Sequence, residues 1–176
     1  RAVKQAALTE LRNRQNLLRT VLYEQAMRRR GLALSPSAKA TGFIAQRGRL
    51  PHPVKGRVLR GFGPYRHLES RTQLVSNGWS YRGRIDTPVF AVFNGTVAYS
   101  GWYTGFGNLI IIDHGDGFHT IYAHLNAIHR AKGERVRRGE MIGKLGDSGS
   151  LAGPQLYFEL RENRKAVDPR AWLLRR

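Results

Sequence analysis

The sequence predicts a mainly β protein: an antiparallel β-sheet domain over residues 50–176, preceded by a long α-helix. Three observations predict it. The first thirty residues carry a helical period with neither Gly nor Pro, a small polar stretch follows, and from about Leu50 short alternating apolar pieces recur between Gly-containing turns. The organisation that follows is a helical arm or coiled-coil end over 1–34, a linker over 35–49 and a β domain over 50–176.

Good helix formers dominate from Ala2 to about Gly31. Leu8, Leu11, Gln15, Leu18, Leu22 and Gln25 recur at alternating three- and four-residue steps, which makes a narrow coiled-coil-like seam. Leu17 and Val21 widen that face as in a helix that docks on a domain. Arg28-Arg29-Arg30 suits the negative end of the helix dipole, and Gly31 supplies the stop. The segment is therefore either the tail of a longer coiled coil or an arm folded on its own domain. The chain begins at Arg1 with no Met and no signal-peptide pattern, and so reads as a piece of something longer.

The linker is read from Ser35 through Gly42, a small, polar and punctuated stretch. Strands are expected at Pro88–Val92, Gly95–Tyr99, Asn108–Ile112, Thr120–Ala123, Met141–Leu145 and Gln155–Leu160. Asn94-Gly95 and Asp116-Gly117 are dipeptides that tolerate positive φ, and both are expected to turn hairpins.

Composition narrows the function. Thirty Lys and Arg against 12 Asp and Glu give a net charge of +18, a field that favours nucleic acid, anionic lipid or an acidic wall polymer. The cations are scattered rather than striped with aromatics, so specific nucleic-acid recognition is not expected. The absence of Cys excludes disulfides, thiolate metal sites and a Cys nucleophile. No run approaches the roughly 20 apolar residues of a membrane span.

The β region resembles the LytM/lysostaphin-type zinc metallopeptidases over roughly residues 50–174, through pieces that occur in family order. They are Leu50-Pro51-His52-Pro53-Val54-Lys55-Gly56 with Gly61-Phe62-Gly63, then Thr87-Pro88-Val89 through Gly95-Thr96-Val97. Next come Gly107 through Gly117, Tyr122-Ala123-His124-Leu125, Gly133 through Val136, Gly139 through Gly149, Pro154 through Leu160, and Val167-Asp168-Pro169. The resemblance implies the family's antiparallel fold. It also implies a zinc ion held by a His and an Asp from an H-x-G-x-D segment and by the last His of an H-x-H pair.

At those positions this chain differs. The first segment reads Ser76-Asn77-Gly78-Trp79-Ser80, and the pair has become Gln155-Leu156-Tyr157. Former ligand positions Ser76, Ser80 and Tyr157 thus carry neutral hydroxyls, poor zinc donors because their oxygens lose a proton only near pKa ~10 or above. No metal and no cofactor are expected. The family His survives as His124, but an imidazole with no metal-activated water has no nucleophile to serve.

Other candidates are weak. His114, His119, His124 and His129 recur every five residues, which neither helix nor strand gathers on one face. His119 and His129 are expected near turns and solvated. Asp86 lies close to the lost Asp but has no His before it. Gly146-Asp147-Ser148-Gly149-Ser150 lacks a nucleophile-elbow pattern and reads as a loop beside the cleft. Glu159 reads as a structural hydrogen-bonding residue. Trp79, Trp102, Tyr103, Phe106 and Tyr157 read as either a groove lining or ordinary core.

Degenerate members with a helix ahead of the β domain resemble the EnvC-like murein hydrolase activators. That resemblance implies a periplasmic, non-catalytic cell-division protein that switches on N-acetylmuramoyl-L-alanine amidases through its vacant groove. The groove residues it implies are Ser76, Ser80, His124, Gln155 and Tyr157. It further implies that a helical arm, here with Leu8, Leu11, Leu18 and Leu22, covers the groove until a divisome ABC-transporter-like complex pulls it away. The alternatives are a peptidoglycan-binding module and a divergent zinc endopeptidase acting on cell-wall peptides.

Overall fold

The computed structural model describes residues 42–66 and 73–175. The helix expected over 1–34, with Leu8, Leu11, Leu18 and Leu22, lies outside the described residues, as does the linker up to residue 41.

Within residues 42–49, expected as the end of a linker, one side chain is anchored on the domain. Phe43 opens a short 3-10 turn, Phe43–Gln46, and is fully buried. Its ring stacks on Phe118 at 4.9 Å and on His114 at 4.8 Å, with Phe93 and Trp172 closing the sides. Small polar residues before it masked one large apolar anchor. Burying a Phe is worth about 2–3 kcal/mol, enough to fix this turn.

Twelve strands follow among the described residues. β1 (Arg57–Arg60), β2 (Gly63–Arg66), β3 (Gln73–Ser76), β4 (Trp79–Arg82) and β5 (Pro88–Phe90) precede the long strands β6 (Gly95–Tyr103), β7 (Gly107–Gly115) and β8 (Phe118–Ile128). Then come β9 (Arg135–Val136), β10 (Met141–Leu145), β11 (Gln155–Glu162) and β12 (Lys165–Val167). Ten form one sheet in the order β1-β4-β11-β8-β7-β6-β9, with β10 joining β5 and β8 and β12 joining β11; β2 and β3 pair separately. Every strand pairing is antiparallel. The fold is that expected from the alternating pattern.

Period-2 alternation sorts the side chains onto two faces. Ile110, Ile112, Tyr122, Leu156, Phe158 and Leu160 point into the main core, while Leu109, Ile111, Ile121, Ala123 and Tyr157 form a second cluster with Phe106 on the other face. The long strands are apolar on both sides for this reason.

The two hairpin dipeptides differ in outcome. Asp116 (φ 48°) and Gly117 (φ 83°) turn β7 into β8 as a two-residue loop. Asn94-Gly95 turns no hairpin, because β5 pairs with β10 whereas β6 pairs with β7 and β9. Gly95 is required instead by crowding: a Cβ there would lie 2.5 Å from the Asp113 carbonyl oxygen.

His119, expected at a solvated turn, is buried within β8, 3.8 Å from the Asp113 carboxylate on the neighbouring strand. His114 anchors a polar chain through the core. Its Nδ1 lies 2.8 Å from the Asn94 carbonyl and so donates, leaving Nε2 to accept from Thr120 Oγ1 at 2.7 Å. The Thr120 and Tyr122 hydroxyls are 3.0 Å apart, and the Val92 N–H donates to Tyr122 Oη at 3.1 Å. Burial pushes the His114 pKa down to about 4, against the pull of the Asn94 carbonyl.

The folded domain therefore refuses a proton that the unfolded chain accepts below pH 6.5. The stability this represents is full above that pH and is lost as pH falls toward 4. Urea unfolding at pH 7 and 4.5 should differ by about 2 kcal/mol through this group, allowing for the partly accessible ring. His114→Gln should flatten that portion of the profile.

Candidate functional site

Two of the positions that the resemblance assigns to metal ligands, Ser80 and Tyr157, meet on one face of the sheet. Tyr157 and Ser80 are directly opposed across β11 and β4, and Tyr157 also opposes Ala123 on β8, one residue from His124. Ser76 ends β3, just before the turn into β4. The tight path of that turn needs Gly78: a Cβ there would stand 2.3 Å from the Phe158 carbonyl oxygen.

The hydroxyls of Ser76 and Tyr157 are directed to partners within the protein. Ser76 Oγ donates to the Gly78 carbonyl at 2.8 Å. Tyr157 Oη donates to Glu159 Oε2 at 2.7 Å, and Arg161 donates from Nη1 to Glu159 Oε1. Glu159, only 1% exposed, thus ties Tyr157 to Arg161 along alternate positions of β11. It is the hydrogen-bonding residue the sequence suggested.

Beside Tyr157 on the sheet, β8 is tied to the loop after β10. His124 takes a positive φ of 63°, and its N–H donates to the Phe106 carbonyl at 2.9 Å. Its Nδ1 donates to the Ser148 carbonyl at 2.9 Å. Ser148 Oγ donates to the Leu125 carbonyl at 2.7 Å and accepts from the Asn108 N–H at 3.0 Å. Gln155 Nε2 donates to Ser150 Oγ at 2.7 Å. The loop read as a Gly-Ser flank is therefore a brace for His124 and Gln155.

The five aromatics separate. Phe106 and Tyr157 meet at 5.8 Å under the cleft, and Tyr103 joins Phe106 at 6.5 Å. Trp79 does not line the cleft: it opposes Phe158, a main-core residue, and sits 6.2 Å from the His52 ring on the other face. Trp102, 61% exposed at the end of β6, and Leu151, 96% exposed in the braced loop, present apolar surface to solvent.

This donor set does not suit zinc, which wants imidazole, thiolate or carboxylate donors in a tetrahedral array. Ser76 spends its proton on a carbonyl and Tyr157 on a carboxylate. Among the described residues, no three His, Cys, Asp or Glu side chains assemble as metal donors.

This antiparallel sheet is that of the metallopeptidase fold of the LytM and lysostaphin type. The chain belongs to peptidase family M23, whose model matches residues 75–169. It is 38% identical over 116 residues to the DD-carboxypeptidase/endopeptidase Mpg of Neisseria meningitidis, covering 66% of this chain and 27% of that protein. It is 32% identical over 136 residues to the murein hydrolase activator EnvC of Escherichia coli, covering 77% of this chain and 32% of that protein. A crystallised zinc-containing peptidase from Vibrio cholerae superposes with a TM-score of 0.66 at 30% identity, over 72% of this chain and 40% of that one. The chain thus spans about a third of the curated relatives it matches. The family holds both peptidases and a hydrolase activator.

Proposed function

We propose that this chain is a non-catalytic activator of N-acetylmuramoyl-L-alanine amidases in the periplasm during cell division. It binds the amidase in the cleft that peptidase relatives use for chemistry. One observation carries the reading: the positions matching three metal donors hold Ser76, Ser80 and Tyr157, with Gln155 where a second His would stand. The likeness to the activator EnvC over 77% of this chain supports it.

A cleft built by strands and braced loops needs no metal to keep its shape. In this reading Ser76, Ser80, His124, Gln155 and Tyr157, each at most 9% exposed, underlie the groove, and the exposed Trp102 and Leu151 serve as apolar anchors for a partner helix. Residues 1–34 act as a lock, in which Leu8, Leu11, Leu18 and Leu22 compete for the same groove at high effective concentration. A divisome ABC-transporter-like complex releases that lock.

Adding the chain to a purified periplasmic amidase on labelled peptidoglycan should raise release of label, and removing residues 1–34 should raise amidase affinity further. No stimulation by either form defeats the reading; equal affinity of the two forms defeats the lock. The likeness to Mpg favours a second reading, a divergent endopeptidase, for which the chain alone would cut cross-links.

A further inference from the structure

The edge of the sheet beside the cleft carries a row of cations with a defined spacing. Arg57 opposes Arg82 across β1 and β4, and Arg82 opposes Gln155 across β4 and β11. Directly opposed residues project from the same face, and Gln155 shares its face with Tyr157 two positions on. A bulge then sets Leu59 and Arg60 against the single residue Ser80, so that Arg60 also joins the cleft face. The other face holds Val58, Tyr81 and Leu156, packed in or against the main core.

Like charges placed directly opposite one another destabilise a sheet unless an anion relieves them. Among the described residues, the ion pairs are His119–Asp113, Arg130–Glu140 and Arg161–Glu159, and none involves this row. Arg57 and Arg82 are exposed. Arg60 is propped with its guanidinium 4.1 Å from the Tyr65 ring centre and donates from Nη1 to Tyr65 Oη at 3.4 Å.

We propose that Arg57, Arg60 and Arg82 form a carboxylate-reading row that docks an acidic face of the partner amidase at the cleft edge. The inference rests on the functional reading above and names the chemistry of the partner surface. A guanidinium fork takes a carboxylate through two parallel hydrogen bonds. Neighbouring strands stand about 4.8 Å apart. Carboxylates three or four residues apart on a helix are separated by about 5–6 Å. A helix lying in the cleft can therefore present two acids to Arg57 and Arg82 together. Cell-wall peptides also carry carboxylates, but this paired spacing favours the helix.

The test is binding of the full chain to a purified periplasmic amidase at low and high salt, for wild type, Arg57→Gln/Arg82→Gln and Arg57→Glu/Arg82→Glu. The Gln pair should weaken binding about tenfold and flatten its salt dependence, and the Glu pair should weaken it about a hundredfold at low salt. The Gln pair should melt no lower than wild type, because the cross-strand repulsion is gone, so its lost affinity is not lost folding. Wild-type affinity in both variants, with the wild type binding, overturns the row and leaves the functional reading standing. An amidase that ignores the wild type overturns both. Variants that keep the amidase but no longer sediment with purified sacculi assign the row to the wall polymer and contradict the proposal.

Discussion

Ser76→His, Ser80→Asp and Tyr157→His, made together, should turn a chain that retains no zinc into one that binds it stoichiometrically. The scaffold for such a site is present. Ser80 and Tyr157 face each other across adjacent strands, and Ser76 ends the strand that a tight turn at Gly78 joins to β4. What is lacking is donor chemistry. His and Asp supply the nitrogen and carboxylate oxygen that zinc binds at about 2.0–2.2 Å, whereas the hydroxyls of Ser76 and Tyr157 are spent on a carbonyl and a carboxylate. At a thousandfold excess of zinc over its Kd, linkage adds about 4.1 kcal/mol to stability. For a domain of this size that is a rise in Tm of roughly 10 °C. Calorimetry with and without zinc checks it, and Tyr157→His alone, supplying one donor, should show no such rise.

Arg161→Met should cost about 3–5 kcal/mol in urea unfolding, the range for stripping the partner from a buried charge. Glu159 is 1% exposed and accepts from Tyr157 Oη on one oxygen and from Arg161 on the other. Without the guanidinium, a carboxylate 1% exposed loses the charged donor on Oε1. Adding Glu159→Gln to Arg161→Met should recover much of the loss, because the stranded charge is then gone, and the two effects will not be additive. Equal costs for the single and double variants would show that Arg161 contributes packing alone.

The sheet was legible because its strands announce themselves. Met141–Leu145 matches β10 at both ends, and the other expected strands fall on β5, β6, β7, β8 and β11. Strands β1 to β4 were not read as strands, since short pieces rich in Arg, Gly and Ser give no apolar alternation; tertiary pairing makes them strands. Phe43 escaped for the opposite reason, a single anchor within a polar run. Lost donors at 76, 80 and 157 stand in the sequence through the resemblance alone. The meeting of the last two needed the register that sets Ser80 against Tyr157.

Trp79 shows the limit of reading aromatics by type, because strand parity sends it to the core while Tyr157 goes to the cleft. The Tyr157, Glu159 and Arg161 line could have been found by counting every second residue of the last long strand. The row of Arg57 and Arg82 could not, since twenty-five residues of chain and a cross-strand pairing separate them.

Zinc retention and turnover by the isolated full chain test the central claim most directly. After dialysis against zinc and removal of free metal, the chain should hold no stoichiometric zinc and release no fragments from purified peptidoglycan, while a periplasmic amidase works faster in its presence. One zinc per chain, together with cell-wall peptide cleavage by the chain alone, would contradict the account.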